Sequence, residues 1–578
     1  MKLIQRVVCL ATSLSILALI GCTADNHTSV LGPETAPDDR PNILLIVADD
    51  MGFTDLGSFG GEIPTPNLDD LAKGGVRFAN FHGAPLCAPA RAMLLSGMDN
   101  HEAGMGSMAL KRDFEGGRVP SPDTPGYAKP GYEGYLSYRV AALPEVLRDA
   151  GYHTYITGKW DLGRALVEEH NPAGRGFKSS FIHTTAAALH LPPEDLVAHG
   201  GIARTDPLVF RENWDVVPEL PADYFSTAMF TDKMIEYIDA DRNDSQPFFA
   251  YLALSAPHWP LQAPADWRDR YAGKYAEGYD AIRDRRVARA HELGLLSAPP
   301  DIESYKRKSV PWDSLDSEER QRNERLMEIY AAMVGNMDFH IGRLIDYLQS
   351  TDQLDNTFIL FMSDNGTAGS FRPSYAVPYD SALENIGAND SFVAYGQGWA
   401  EAGMAPFRGV KGTMTEGGVR VAAFANHSSL QNSGRISQTY LTMQDVMPTL
   451  LELAGAKHPG NLFHNRPVLP IRGSSFLDHL HGADGPVHSS DEVTGWALGG
   501  KRAVVRGDWK LLWMPSESDG QKKWELYDLR SDPYERNDLA SFHPELTREL
   551  VDEWYDYAEE VGVAVIERNR IYNGLEVK

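Results

Sequence analysis

The feature that most constrains the fold is a series of short apolar runs that each end abruptly in polar residues. The first run spans 42–48 and is followed by Asp49 and Asp50. Similar runs at 152–157, 248–254 and 357–362 are followed by Gly158-Lys159, Ala256-Pro257-His258 and Ser363-Asp364-Asn365. Such runs are typical of strands that are buried on both faces of a parallel sheet. Because ligands of open α/β sheets bind at the carboxyl ends of strands, these polar residues are predicted to converge on one edge.

Helical segments alternate with these strands. They are predicted at 66–74, 141–150, 318–348 and 442–454, and residues 92–97 read as a short helix closed by Gly97. The alternation predicts an α/β fold with a doubly wound, mixed and mostly parallel sheet that carries helices on both faces. Residues 265–317 are charged, with scattered aromatic residues and no clear periodicity, so we expect them to run over the surface.

From about residue 480 the pattern changes to short strands joined by turns. Strands are predicted at 502–505, 509–513 and 524–527, and a closing helix at about 543–561. The sequence therefore predicts a catalytic domain at 40–480 and a smaller C-terminal subdomain at 481–578. The subdomain is expected to be an antiparallel sheet with a packed helix.

The overall charge limits the possible partners. The chain has 578 residues, a formal net charge of −26 and a sequence pI near 5.1. A nucleic-acid partner would require a basic face, so none is expected. Long polyanionic substrates are also disfavoured unless a local cationic pocket overrides the overall field.

The N-terminus has the features of an export signal. Lys2 and Arg6 precede an apolar run at 7–20, which is short for a membrane span. The run ends in Leu19-Ile20-Gly21-Cys22, which resembles a bacterial lipoprotein box and implies a signal peptide at 1–21, lipidation of Cys22 and a tether at 22–39. By this resemblance the protein is exported and contacts the membrane only through its lipid anchor, at the bacterial outer membrane or periplasmic face.

Two kinds of side chain are expected at the strand ends. The hard oxygen ligands that Ca²⁺ or Mg²⁺ prefer are provided by Asp49, Asp50, Asp364 and Asn365. Cations that could hold a tetrahedral oxyanion are provided by Arg91, Lys159 and Lys411. A proton donor is provided by His258.

The pentapeptide Cys87-Ala88-Pro89-Ala90-Arg91 resembles the C-x-P-x-R signature of type I sulfatases. The resemblance extends from Pro41 to about residue 540. Its other motifs are NILLIVADD at 42–50, GKW at 158–160, APH at 256–258, SDNG at 363–366, KGT at 411–413 and EGG at 416–418. The segments GMDNH at 97–101, PLQAP at 260–264 and RAVVRGDWK at 502–510 look most like the bacterial arylsulfatase branch of the alkaline-phosphatase-like superfamily.

The resemblance implies that the protein hydrolyses sulfate monoesters of aryl or small alkyl alcohols. A maturation enzyme would oxidise Cys87 to formylglycine, whose hydrated form binds one Ca²⁺ per chain, favoured over Mg²⁺, and attacks sulfur. In this scheme Asp364 is the base, while Lys159, Lys411 and His258 hold the sulfate oxygens and protonate the departing alcohol. Since Cys9 would leave with the signal peptide, the mature protein would have no free thiol.

Two residues depart from the family pattern, and both leave alternatives open. Ala90 stands where serine or threonine is usual, but conversion of Cys87 needs mainly the cysteine, proline and arginine. Asp161 replaces the histidine of the usual GKWHLG motif. Three interpretations of Asp161 are open: it is the base in place of histidine, it pairs with Lys159, or it marks an altered substrate. The competing functions are a phosphonate monoester or phosphodiester hydrolase of the same superfamily and a non-catalytic surface-binding lipoprotein.

Overall fold

The computed structural model describes most of the chain after the predicted tether. The described residues are 39–107, 130–163, 167–184, 189–191, 210–298, 300, 305–369, 380–430, 434–515 and 523–564. The predicted signal peptide and the predicted tether up to residue 38, with Cys22, lie outside these ranges. No helix within them is long and apolar enough to cross a membrane.

A mixed sheet forms the centre of the fold. Its strands are β1 (Asn42–Ala48), β2 (Val76–His82), β3 (His153–Lys159), β4 (Ser179–His183), β5 (Phe210–Glu212), β6 (Asp215–Val216), β7 (Phe248–Ala253), β8 (Thr357–Ser363), β9 (Arg420–Asn426), β10 (Ile436–Ser437) and β11 (Leu441–Thr442). The strand order is β10-β2-β9-β8-β1-β7-β3-β4-β5-β6, and β11 also pairs with β2. Strands β8, β1, β7, β3 and β4 are mutually parallel, so their carboxyl ends lie at one edge.

The central strand β1 shows why the sheet is covered on both faces. Residues 43–48 are fully buried. Because successive side chains in a strand point to opposite faces, Ile43, Leu45 and Val47 join one apolar core, whereas Leu44, Ile46 and Ala48 join another. The predicted doubly wound architecture is confirmed.

Helices supply the other half of both cores. They are α1 (Pro66–Gly74), α2 (Cys87–Ser96), α3 (Leu143–Asp149), α4 (Ser226–Asp241), α5 (Gly278–Glu292), α6 (Ser317–Ser350), α7 (Gln397–Met404), α8 (Glu416–Val419), α9 (Val446–Leu453), α10 (Leu477–Leu480) and α11 (Pro544–Val561). Helices α2, α3 and α9 contribute to the first core, and α1, α4 and α6 to the second. The long helix α6 begins with an Asp316 capping box, as its S-E-E start favours.

The prediction for residues 265–317 was correct only in part: much of the stretch is exposed, but it also contributes a helix and a buried cluster. This stretch contains α5, and its aromatic residues form a buried cluster with Trp399 and α6, namely Trp267, Tyr275, Tyr279 and Trp312. Helix α5 lacks a clear helical pattern of apolar residues, because its buried side includes Arg286. The Arg286 guanidinium pairs with Asp55 and Glu62 at 2.6 Å each. A buried ion pair replaces part of the apolar stripe that would otherwise mark the helix.

A second, smaller sheet lies near the C-terminus. It is fully antiparallel and consists of β14 (Val493–Leu498), β15 (Lys501–Arg506), β16 (Trp509–Trp513) and β17 (Trp524–Asp528), preceded by the hairpin β12 (Leu462–Phe463) and β13 (Arg466–Pro467). One face packs on α11 through Leu511, Trp524 and Trp554. The predicted antiparallel sheet with a packed helix is confirmed, although β14 was not predicted. The domain boundary at 480/481 stays a prediction.

Candidate active site

The carboxyl ends of β1 and β8 bring the first group of polar side chains together. The two strands are parallel neighbours and Ala48 is in register with Ser363, so Asp49-Asp50 and Asp364-Asn365 emerge side by side. The Asp50 amide donates to Asp364 Oδ1 at 3.3 Å, and Asn365 Nδ2 donates to Asp50 Oδ1 at 2.6 Å. Asp50 has a φ of +64°, a left-handed conformation in which aspartate is tolerated.

Cys87 is the first residue of α2 and is buried beside these carboxylates. Its Sγ lies 3.2 Å from Asp49 Oδ1 and 3.8 Å from Asp50 Oδ1, and Lys411 Nζ lies 3.0 Å from it. Burial, together with the charges of Asp364 and Asp49, raises the pKa of the thiol. The helix was predicted to begin at residue 92, but in the structure it begins five residues earlier, at Cys87. Gly97 caps its C-terminus with a φ of +64°.

Arg91 lies one turn into α2 and holds Asp364. Its Nε and Nη2 lie 3.0 and 2.9 Å from Asp364 Oδ2, and Nη1 donates to the Lys159 carbonyl at 3.2 Å. Nη1 also lies 3.3 Å from the hydroxyl of Tyr251, a buried residue of β7. Burial disfavours the guanidinium charge, but Tyr251 and Asp364 more than offset it, so the pKa of Arg91 is well above its usual value.

Lys159, the last residue of β3, faces the same cluster. Its Nζ lies 2.7 Å from Asp49 Oδ2 and 3.8 Å from Asp161 Oδ2. Although burial opposes ionisation, Lys159 and the neighbouring cations hold the pKa of Asp49 well below its usual range. Asp161 is buried at φ +53°, and burial raises its pKa. Its Oδ2 has no hydrogen-bond partner among the described residues.

His258 follows β7 and approaches Asp50. Its Nε2 lies 3.4 Å from Asp50 Oδ2, and Nδ1 donates to the Trp259 carbonyl at 2.6 Å. His190 Nε2 donates to the His258 carbonyl at 2.9 Å and so holds the backbone of the loop that follows β7. Burial lowers the pKa of His258 to about 4.

The donor set fits a hard divalent cation. Asp50 Oδ2 and Asn365 Oδ1 are buried oxygens without a hydrogen bond in the described part of the chain. Ligand atoms of Asp49, Asp50, Cys87 and His258 lie within 4.8 Å of one another. Burial and the nearby Asp49 charge raise the pKa of Asp364 to about 6, as expected where carboxylates crowd together.

The structure brings all the site residues predicted within the described ranges to one place, while Cys22 lies outside those ranges. The catalytic and metal-binding roles of these residues stay predictions. Sequence reasoning did not find Tyr251 or His190. Tyr251 could have been suspected, because it carries the only hydroxyl in the apolar run FFAYLA of β7. His190 gives no such signal, because its contact with residue 258 is made across a long stretch of chain.

The fold and the site together define a hydrolase of the alkaline-phosphatase-like superfamily. Residues 41–456 match the model of the sulfatase family, and the chain belongs to this family as a type I sulfatase. Its reaction class is therefore the hydrolysis of sulfuric esters.

Relatives agree with this assignment. An uncharacterized sulfatase of Schizosaccharomyces pombe is 43% identical over 545 residues, which cover 91% of this chain and 95% of the relative. An arylsulfatase of Klebsiella aerogenes is 36% identical over 454 residues, which cover 77% of this chain and 93% of the relative. The crystal structure of Ps i-CgsB in complex with k-i-k-neocarrahexaose has a TM-score of 0.63 at 23% identity and covers 90% of this chain and 93% of its own. At that identity it supports the fold alone.

Proposed function

We propose that the protein hydrolyses small aryl or alkyl sulfate monoesters through a formylglycine made from Cys87 and a bound Ca²⁺. The observation that carries the proposal is the position of Cys87 Sγ, 3.2 Å from the Asp49 carboxylate and 3.0 Å from the Lys411 ammonium. An oxygen nucleophile attached to the same Cβ would lie between an acidic cluster and a cation. The family assignment and the Klebsiella aerogenes arylsulfatase support the choice of a sulfate ester.

The oxygen ligands form the anionic half of the site. Asp49, Asp50, Asp364 and Asn365 would hold the Ca²⁺, which when bound neutralises charge on the sulfate oxygens and makes the nucleophile more acidic. A formylglycine at position 87 would supply, in its hydrated form, one hydroxyl as the nucleophile toward sulfur and a second hydroxyl whose collapse to the aldehyde would expel sulfate, and water would then restore the hydrate. Arg91 orients Asp364 through its two contacts with Oδ2. Asp49 lies 3.2 Å from Cys87 Sγ, but its pKa is held well below the usual range, whereas the pKa of Asp364 is raised to about 6, so Asp364 is the better base.

The cations form the substrate-facing half. Burial opposes the charge of Lys159 and Lys411, but surrounding carboxylates raise both pKa values above the usual range, so both ammonium groups stay charged at neutral pH. They can therefore donate to sulfate oxygens and to the departing alcohol. Lys411 retains 13% exposure of its side chain, so it lies where substrate can reach the cluster.

The charge of the site favours a singly charged ester. Asp49, Asp50, Asp161 and Asp364 face three cations, which are Arg91, Lys159 and Lys411. A divalent ion converts the excess of one negative charge into an excess of one positive charge, and a sulfate monoester neutralises it. A phosphodiester has the same charge, so a phosphodiesterase activity is the alternative that the experiment must measure.

We also propose that Cys22 anchors the protein in a bacterial membrane after export. The support is the sequence LIGC at 19–22 behind an apolar run. This segment lies outside the described residues.

The first experiment is mass spectrometry of the tryptic peptide 78–91 from protein purified from its own host. The expected peptide has lost the thiol sulfur and carries an aldehyde that reacts with a hydrazide probe. Sulfate release from 4-nitrophenyl sulfate should exceed phosphate diester cleavage, and Cys87→Ala should abolish it. An intact thiol in an active enzyme would contradict the formylglycine mechanism, and faster phosphodiester cleavage would favour the alternative.

A further inference from the structure

The segment 408–419, which carries Lys411, is covered by the small C-terminal sheet. At its start, Arg408 Nη1 donates to Glu525 Oε2 and to the Tyr527 hydroxyl of β17, both at 2.8 Å. Farther along, Met414 and Val419 are fully buried in an apolar cluster with side chains of the sheet, which are Trp496, Leu498, Ala503, Val505, Leu512, Met514 and Tyr527. The segment is therefore fixed at both ends by residues distant in sequence.

A buried ion network ties the segment to β16. Lys510 Nζ lies 2.6 Å from Glu416 Oε1 and 2.9 Å from Glu535 Oε1, and the Glu416 amide donates to Glu535 Oε2 at 3.0 Å. All three side chains are excluded from solvent. On the other side, His82 Nε2 lies 3.0 Å from Glu416 Oε2. Lys510 is thus a cation shared by two buried carboxylates, one of which begins α8.

A second lysine of the same sheet contacts the residue next to Lys411. Lys501 Nζ, on β15, donates to the Gly412 carbonyl. The Gly412 amide donates to the Pro85 carbonyl at 2.8 Å, and the Lys411 amide donates to the Thr367 carbonyl at 3.0 Å. The peptide groups that flank Lys411 are therefore held by the small sheet, by the loop before Cys87 and by the loop after Asn365.

We propose that the small sheet positions Lys411 for the reaction, with Lys501 and Lys510 as the positioning residues. The proposal rests on the proposed role of Lys411 at the sulfate. Lys411 Nζ lies 2.5 Å from Asp50 Oδ1 and 3.0 Å from Cys87 Sγ, so a shift of its backbone would move the ammonium away from the reacting atoms. The C-terminal sheet is in this view part of the catalytic apparatus, although no hydrogen bond joins its described residues to Cys87.

Lys501→Met is the variant that tests the proposal. Replacement of Lys510 alone would leave Glu535 buried without the cation that it pairs with and Glu416 with only Arg420, at 3.4 Å, as an ion-pair partner of fixed charge, which is destabilising. Lys501 is only half-buried, and methionine retains most of its length. The matched control is Lys523→Met, which removes a lysine beside β17 of the same sheet, where its ammonium pairs with Asp538 at 2.7 Å and lies near the charge of Arg408, rather than bonding to the peptide group next to Lys411.

Two measurements on the matured, Ca²⁺-loaded enzyme are made in parallel. Hydrogen exchange of peptides covering 408–419 should become faster in Lys501→Met and stay unchanged in Lys523→Met. The kcat/KM for 4-nitrophenyl sulfate should fall roughly 10- to 100-fold in Lys501→Met only, mainly through kcat, because a misplaced group costs rate more than binding. In a Lys411→Met background, Lys501→Met should cause no further loss, since the group that it positions is absent.

Either of two results would overturn the proposal. One is unchanged exchange of 408–419 in Lys501→Met, and the other is an equal loss of kcat/KM in the presence and absence of Lys411. If the wild-type enzyme releases no sulfate, the proposed function fails, and the exchange comparison still decides whether Lys501 holds the segment.

Discussion

At the scale of single residues, the site depends on backbone turns immediately after strands. Asp50 and Asp161 follow β1 and β3, and both adopt left-handed conformations with φ of +64° and +53°. Non-glycine residues in this region are uncommon, and they concentrate at functional sites. The turn at Asp161 leaves its carboxylate buried 3.8 Å from Lys159 Nζ. This distance is long for a charge-assisted hydrogen bond, so pairing with Lys159 leaves Oδ2 free for another role.

We expect Asp161→Asn to slow the second half of the reaction, in which sulfate leaves residue 87 after the alcohol has departed. Asparagine keeps the size of the side chain but cannot accept a proton, and loss of a general base typically costs about 10²-fold or more in rate. Release of 4-nitrophenol should show a burst in rapid-mixing experiments, followed by slow turnover. The burst measures the first half of the reaction and the steady state measures the second.

Asp161→His provides the control for this prediction. It restores an imidazole at the position where the family pattern has one, so turnover should recover without a burst. Unchanged turnover in Asp161→Asn would exclude a base role and favour either pairing with Lys159 or an altered substrate.

At the scale of elements, the sequence predicts the parts of the fold that have one simple pattern. The central strands β1 and β8 and the long helix α6 are found within one or two residues, because each is a continuous apolar run or a long amphipathic repeat. Strand β14 was not predicted, because its VTGWAL sequence is short and includes a glycine. Helix α5 was not predicted, because its buried side includes a paired arginine.

The residues of the site were also predictable only where a local sequence pattern specifies their position. Strand ends converge in any parallel sheet, so the positions of Asp49, Asp364 and Lys159 follow from local patterns. Contacts between distant segments do not. The carbonyl contact of His190 with residue 258 and the ion pair of Glu416 with Lys510 join residues 68 and 94 positions apart. Nothing in either local sequence specifies the partner.

A charged contact of helix α9 gives a prediction of pH-dependent stability. Asp445 lies at the start of α9, and its Oδ2 accepts from the Thr442 amide at 2.7 Å and from His488 Nε2 at 2.8 Å. His488 Nδ1 donates to Glu492 Oε1 at 2.7 Å. Burial opposes protonation of His488, but its bonds to Asp445 and the charges of both carboxylates raise its pKa to about 9.

The folded-state pKa of His488 lies above the unfolded value of about 6.5, so the imidazolium stabilises the fold most below pH about 6.5. This contribution is on the order of 3 kcal/mol and is lost as pH rises through about 9. We expect His488→Gln to lower Tm clearly at pH 6 and much less at pH 10, as measured by differential scanning fluorimetry. His464→Gln is the control, because His464 pairs with Asp149 but its side chain is 65% exposed. An equal loss at both pH values would contradict the linkage.

At the scale of the whole molecule, the net charge of −26 is unevenly distributed. Exposed acidic groups are solvated, but Asp49, Asp50 and Asp364 are almost fully buried within one cluster. Buried carboxylates repel one another and lose hydration, so the cluster costs stability unless cations compensate it. The proposed Ca²⁺ would therefore be a stabilising ligand of the native chain as well as part of its chemistry.

Removal of the metal should consequently lower the stability of the whole protein. A ligand that binds only the native state at about 100 times its Kd contributes about 2.7 kcal/mol. EGTA, which prefers Ca²⁺ to Mg²⁺, should lower Tm as much as EDTA does, and excess Ca²⁺ should restore it. If EDTA lowers Tm and EGTA does not, the ion is Mg²⁺.

The surface group His153, Asp241 and Asp244 supplies the control for metal removal, because its ligand atoms are also close together. Lys178 Nζ already lies 2.7 Å from Asp241 Oδ2, so this group has its own cation. Asp244→Asn should retain the full response to EGTA, whereas Asp50→Asn should lose most of it, since Asp50 Oδ2 is one of the buried oxygens without a hydrogen bond in the described residues. A response that Asp244→Asn abolishes and Asp50→Asn retains would place the stabilising ion at the surface rather than among the buried carboxylates.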